Sequence, residues 1–75
     1  MNQSKIIKIV TNVKKPTDCK IKIEDEEIFY KITVNEQDFN LLNENSKKNV
    51  YEYLNDLENI LKKLNKMTLI VKEKF

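Results

Sequence analysis

The sequence has no histidine, no glycine, no arginine and no tryptophan, and only one cysteine and one proline. Without histidine, imidazole-bearing zinc sites, Ser-His or Cys-His nucleophilic pairs and imidazole acid–base chemistry are all excluded. Without glycine the chain cannot build a phosphate-cradling loop, whose backbone must approach the ligand closely and often needs positive φ. The lone Cys19 allows no internal disulfide and brings no companion ligands for a metal. All 14 basic residues are lysine, so the planar bidentate fork that reads guanine edges is missing. Abundant Lys, Asn and Ile beside absent Gly, Ala and Arg is also the signature of AT-rich coding, which accounts for part of this bias.

No apolar run approaches the ~18 residues that cross a bilayer. Lys5 and Lys8 interrupt the apolar core that a signal peptide would require. At 40% apolar and 35% charged, the chain reads as one soluble cytoplasmic domain over residues 1–75. A chain of this size buries only about 60% of the surface its unfolded form exposes, which leaves little room for a deep cleft. The expectation is a protein that is not an enzyme, holds no cofactor and no metal, and does not enter a membrane.

What is present is headed by residues 46–66, SKKNVYEYLNDLENILKKLNK. Val50, Leu54, Leu57, Leu61 and Leu64 recur at steps of four and three, with Tyr53, Ile60 and Met67 beside them. At about 100° per residue these eight fall within an arc of roughly 140°, which predicts a long amphipathic helix with one face built for burial. Ser46 is its expected cap, and Lys62, Lys63 and Lys66 suit the negative end of its dipole.

Residues 5–13, KIIKIVTNV, are rich in β-branched side chains and predict a central strand, ended by the turn KKPTD at 14–18. Two alternating runs follow, Cys19–Ile23 and Ile28–Val34, separated by Glu24, Asp25, Glu26 and Glu27. They predict a hairpin over a four-residue loop built on a type I turn, with Cys19, Ile21, Ile23, Ile28, Tyr30, Ile32 and Val34 facing inward. Lys20, Lys22 and Lys31 then point to water. Asn35 predicts the cap of a short helix over about 36–43, with Val34 and Phe39 as its hydrophobic staple. Residues 67–75, MTLIVKEKF, predict a last strand, parallel to a neighbour and plausibly to the first strand, with Leu69 and Val71 on one face and Ile70 on the other. The expected fold is α+β, in the order βββααβ. It has a four-stranded, mostly antiparallel sheet with one long helix (about 46–66) and one short helix (about 36–43) packed on one face.

Charge is segregated along the chain. Six Lys against one Asp give residues 1–22 a charge of +5, one Lys against seven acids gives residues 23–45 −6, and seven Lys against four acids give residues 46–75 +3. Such regional fields steer partners even at a small net charge. The first candidate surface is acidic: Glu24, Asp25, Glu26, Glu27, Glu36 and Asp38, suited to a cationic groove on a partner protein. Neither the spaced oxygen ligands nor the central glycine of an EF-hand is present there. The second candidate is basic: Lys5, Lys8, Lys14, Lys15, Lys20, Lys22 and Lys31, able to contact nucleic-acid phosphates without reading sequence. Phe29 alone is too little for a stacking platform. Tyr51 lies outside the apolar arc of the long helix and is a candidate interface aromatic.

The functional expectation is a small non-catalytic protein-interaction module, acting through the acidic hairpin surface on another protein. An inhibitor or accessory protein of a phage or mobile element fits that description. The alternatives are a sequence-nonspecific nucleic-acid-binding protein that uses the Lys-rich strands, and a homo-oligomeric structural module. The expected state is a monomer or homodimer.

Overall fold

A computed structural model of the chain describes residues 8–10 and 12–75. It is an α+β fold of three strands and one long helix, in which β1 (Ile21–Asp25) and β2 (Phe29–Asn35) form a hairpin. The chain then runs through a short helix α1 (Glu36–Asn40) and the long helix α2 (Glu44–Lys63), and returns as β3 (Met67–Glu73). The sheet order is β1-β2-β3, antiparallel between β1 and β2 and parallel between β2 and β3.

The strand expected at 5–13 is not formed over its described residues: Lys8, Ile9 and Val10 are helical, and the Asn12 N–H donates to the Lys8 carbonyl. Lys5, Ile6, Ile7 and Thr11 lie outside the described residues. The reason is burial. Val10 is only 2% exposed, with Val13 packed beside it, and this three-residue spacing matches a helix as well as β-branched composition matches a strand. Among the described residues the sheet therefore has three strands rather than the four expected and is mixed rather than mostly antiparallel. The last strand is parallel, as expected, but its neighbour is β2.

The hairpin keeps its expected inward row. Ile21 stands opposite Val34 and Ile23 opposite Ile32, with Tyr30, Ile32 and Val34 of the central strand fully buried. Ile28 is the exception. It is 78% exposed because it lies in the turn, which takes only Glu26–Ile28 between the strands. The turn is tighter than a type I loop: Ile28 N–H donates to Glu26 O, and Glu27 takes φ 68°. Left-handed backbone at a non-glycine residue costs roughly 1 kcal/mol, and the Asp25 Oδ1 accepting from the Glu27 N–H helps to hold it.

Asn35 caps α1 as its position implied, accepting from the Asp38 N–H at 2.9 Å, and Val34 and Phe39 are both buried. The short helix stops at Asn40, earlier than expected. The long helix begins at Glu44, two residues before Ser46, because Asn43 supplies the cap through its Oδ1 to the Ser46 N–H. At the other end, Lys66 N–H donates to Leu61 O and Asn65 N–H to Lys62 O, with Asn65 at φ 59°. This is a Schellman closure in which asparagine takes the left-handed position that glycine usually fills. The apolar arc is buried at Val50, Tyr53, Leu54, Leu57 and Leu61, but Leu64 is 36% and Met67 73% exposed, since the helix has ended and the chain has turned away.

The core is thus one layer, the helix-facing row of β2 against the buried face of α2, closed by Val10, Cys19, Ile21 and Phe39. Pairing register carries the same two rows into β3. Thr68, Ile70 and Lys72 continue the helix-side row, while Met67, Leu69 and Val71 continue the outer row beside Phe29, Lys31 and Thr33.

Candidate interaction surfaces

The six candidate acids do not form one patch. Glu24, Asp25, Glu26 and Glu27 cluster at the β1–β2 turn, whereas Glu36 and Asp38 lie beyond the opposite end of β2, in the first turn of α1. At about 3.3 Å per residue, the seven residues of β2 separate the groups by about 20 Å. Two of the six are occupied in holding the fold. Asp25 accepts from the Glu27 N–H and the Tyr30 hydroxyl, and Asp38 Oδ2 accepts from the Lys20 N–H across from β1. Glu24 lies 3.9 Å from Lys22 Nζ, and Glu26 and Glu27 are exposed.

The lysines are likewise dispersed. Lys5 lies outside the described residues, and Lys8 sits in a helical segment at 8–10 rather than in the strand expected for it. Lys15 Nζ donates to Ile21 O. Lys22 and Lys31 share the outer row of the sheet, but Glu24 stands directly opposite Lys31, so this face is mixed in sign rather than basic. Lys14 and Lys20 are exposed at separate points of the chain. A cleft of about 400 Å³ between residues 14–18 and the first half of α2 also mixes signs, with Lys14, Asp18, Glu52 and Asp56 on its walls.

Tyr51 is 54% exposed on α2 and meets Phe39 edge-on at a centroid distance of 5.5 Å. Lys72 of β3 reaches over the Phe39 ring at 4.0 Å, a cation–π contact that ties the strand to both helices. These residues form the lip of a groove of about 320 Å³ between α2 and β3, whose floor is apolar: Val34, Val50, Leu54 and Ile70. Asn55 and Glu58 of α2 line the groove as well.

The groove runs along a strand that is open on one side. Among the described residues β3 pairs only with β2, so the N–H and C=O groups of its outer edge have no strand partner. Met67, Leu69 and Ile70 are 73%, 45% and 37% exposed, so this edge carries apolar side chains on both faces. Sequence reasoning located the strand and its two faces but not this surface. The signal was present in MTLIV, an apolar run too short of charges for a shielded edge.

Cys19 and the two buried tyrosines belong to the core. Burial pushes the Cys19 thiol above its ordinary 9.0, with Asp38 adding to the effect and a backbone hydrogen bond at Asn35 opposing it. Burial raises Tyr30 above 10.0, reinforced by Asp25, and burial alone raises Tyr53. In each case the unfolded chain loses its proton first. The stability these groups contribute is complete below the unfolded values and is lost as pH rises through the higher folded ones. The melting temperature is expected to hold steady below pH 9.0 and to fall above 10.0, measured by circular dichroism; a melting temperature unchanged well above 10.0 would contradict the burial of these groups.

Among the described residues no cluster of three or more Cys, Asp or Glu is placed to hold a metal ion, and no helix is long and apolar enough to cross a membrane. The chain matches no protein-family model, no curated protein and no solved structure at a significant level.

Proposed function

We propose that the protein is a small non-catalytic interaction module that binds by accepting an extended polypeptide segment along the open edge of β3. The observation that carries this reading is the combination at one strand of a backbone edge with no strand partner among the described residues, exposed Met67, Leu69 and Ile70, and the adjoining apolar groove lipped by Tyr51. A strand added at such an edge gains main-chain hydrogen bonds, and its alternate side chains enter the groove. An inhibitor or accessory role is compatible with this mode of binding.

A second surface is favoured by a separate observation. Four consecutive carboxylates, Glu24–Glu27, span the end of β1 and the turn that follows, and their only salt bridge among the described residues is Lys22–Glu24, at 3.9 Å. This tip suits a cationic partner.

Capture from native cells separates the two surfaces. With the wild type beside Leu69→Lys and beside a variant with Glu24, Glu26 and Glu27 changed to Gln, a bound chain lost only with Leu69→Lys supports strand addition. Loss only with the Gln variant transfers the function to the acidic tip. A gel shift that persists at low salt and fades as salt rises, together with capture indifferent to both variants, would instead favour nucleic acid.

A further inference from the structure

Resting on the reading of β3 as a strand acceptor, we propose that the segment it accepts is β3 of a second copy, paired antiparallel about a two-fold axis through Ile70 and perpendicular to the sheet. The argument is the self-complementarity of the strand. In an antiparallel pair, directly opposite residues share a face, so a two-fold at Ile70 sets Ile70 against the partner's Ile70 and Leu69 against the partner's Val71. Lys72 then stands opposite the partner's Thr68 and Glu73 opposite the partner's Met67, so all seven residues of β3 are paired and no like charges meet within the strand.

Neighbouring registers fail this test. Centring the pair on Val71 places Ile70 against the partner's Lys72 and Leu69 against the partner's Glu73, which sets a charge against each apolar side chain. Centring it on Leu69 keeps apolar pairs but engages only Met67–Val71, five of the seven residues of β3, and leaves Lys72 and Glu73 outside the strand pair. A one-step slip sets residues of unlike rows opposite each other and puts the two long helices on opposite faces of the joined sheet, so that the two grooves no longer meet.

The same axis keeps both long helices on one side of a continuous six-stranded sheet. It brings the two grooves lipped by Tyr51 together across the seam, so that Leu54 and Ile70 of each copy face the other's groove. The contact is isologous and closed, which removes the open edge without leaving a new one at the seam. The two β1–β2 turns, with Glu24–Glu27, are left at the outer strands, clear of the contact.

Sedimentation equilibrium over a concentration series tests this on the purified chain. The expected result is a reversible dimer. Leu69→Lys occurs twice across the axis, at roughly tenfold per site, and is expected to weaken the dimer about 100-fold while the monomer keeps its circular dichroism spectrum. Because a lysine in β3 could also perturb folding, a second measurement uses oxidative cross-linking. Ile70→Cys is expected to give a disulfide-linked dimer, and Leu41→Cys, 80% exposed at the C-cap of α1 and outside β3, is not.

A wild type that stays monomeric throughout the series, or Ile70→Cys cross-linking no faster than Leu41→Cys, overturns the second-copy proposal. If the wild type is monomeric yet captures a foreign chain that Leu69→Lys releases, strand addition stands and self-pairing fails. If it is monomeric and captures nothing that depends on Leu69, both fail.

Discussion

Leu57→Ala is expected to destabilise the domain by about 2–5 kcal/mol and to leave it close to unfolding at room temperature. Leu57 lies at the middle of the buried face of α2 and is fully inaccessible, as are Ile32 and Leu61 in the same cluster. Truncation there removes three carbons from a layer made by one helix on one sheet, at a position with no exposure to solvent. At roughly 0.05–0.15 kcal/mol per residue, a chain of 75 residues has only about 4–11 kcal/mol to lose. The measurement is the urea midpoint against that of Leu64→Ala, a control at a position 36% exposed beyond the helix end. Equal midpoints for the two variants would show that the helix face is not the core described here.

Asn35→Ala is expected to cost about 2–3 kcal/mol, although it removes little apolar surface. Asn35 is 5% exposed and joins three elements at the end of the central strand. Its Oδ1 accepts the Asp38 N–H to cap α1, its Nδ2 donates to Phe75 O at 2.9 Å beyond β3, and its backbone N–H donates to Lys20 O before β1. Alanine keeps only the last of these and leaves a helix donor and a carbonyl without partners. Asn35→Asp separates the contributions, because the carboxylate still caps α1 but has no hydrogen to give Phe75. It is expected to lose about half as much stability, and hydrogen exchange should accelerate in β3 but not in α1. Equal acceleration in both elements would show that the two bonds are not independent.

Much of this fold was legible in the chain. The hairpin row, the Asn35 cap, the long helix and the two faces of β3 all follow from periodicity and local hydrogen bonding, which a sequence carries directly. The misreadings share one cause. KIIKIVTNV has β-branched composition and a spacing of Ile6, Ile9, Val10 and Val13 that also fits a helix. Which pattern prevails depends on what Val10 packs against, and that lies outside the segment. The candidate acids illustrate the same limit, since charge counted along the chain placed Glu24–Glu27 with Glu36 and Asp38, while the strand between them carries the groups to opposite ends of the sheet.

The sequence by itself determined the chemistry that is out of reach, through missing histidine, glycine and arginine, and it determined the element types wherever one face is strictly periodic. Only the tertiary structure decided that β2 is central and that, among the described residues, β3 stands at an open edge. Strand order depends on which backbone edges meet after the α1–α2 crossover, and no local pattern encodes it. That order turns MTLIV from a strand into an exposed apolar edge beside a groove.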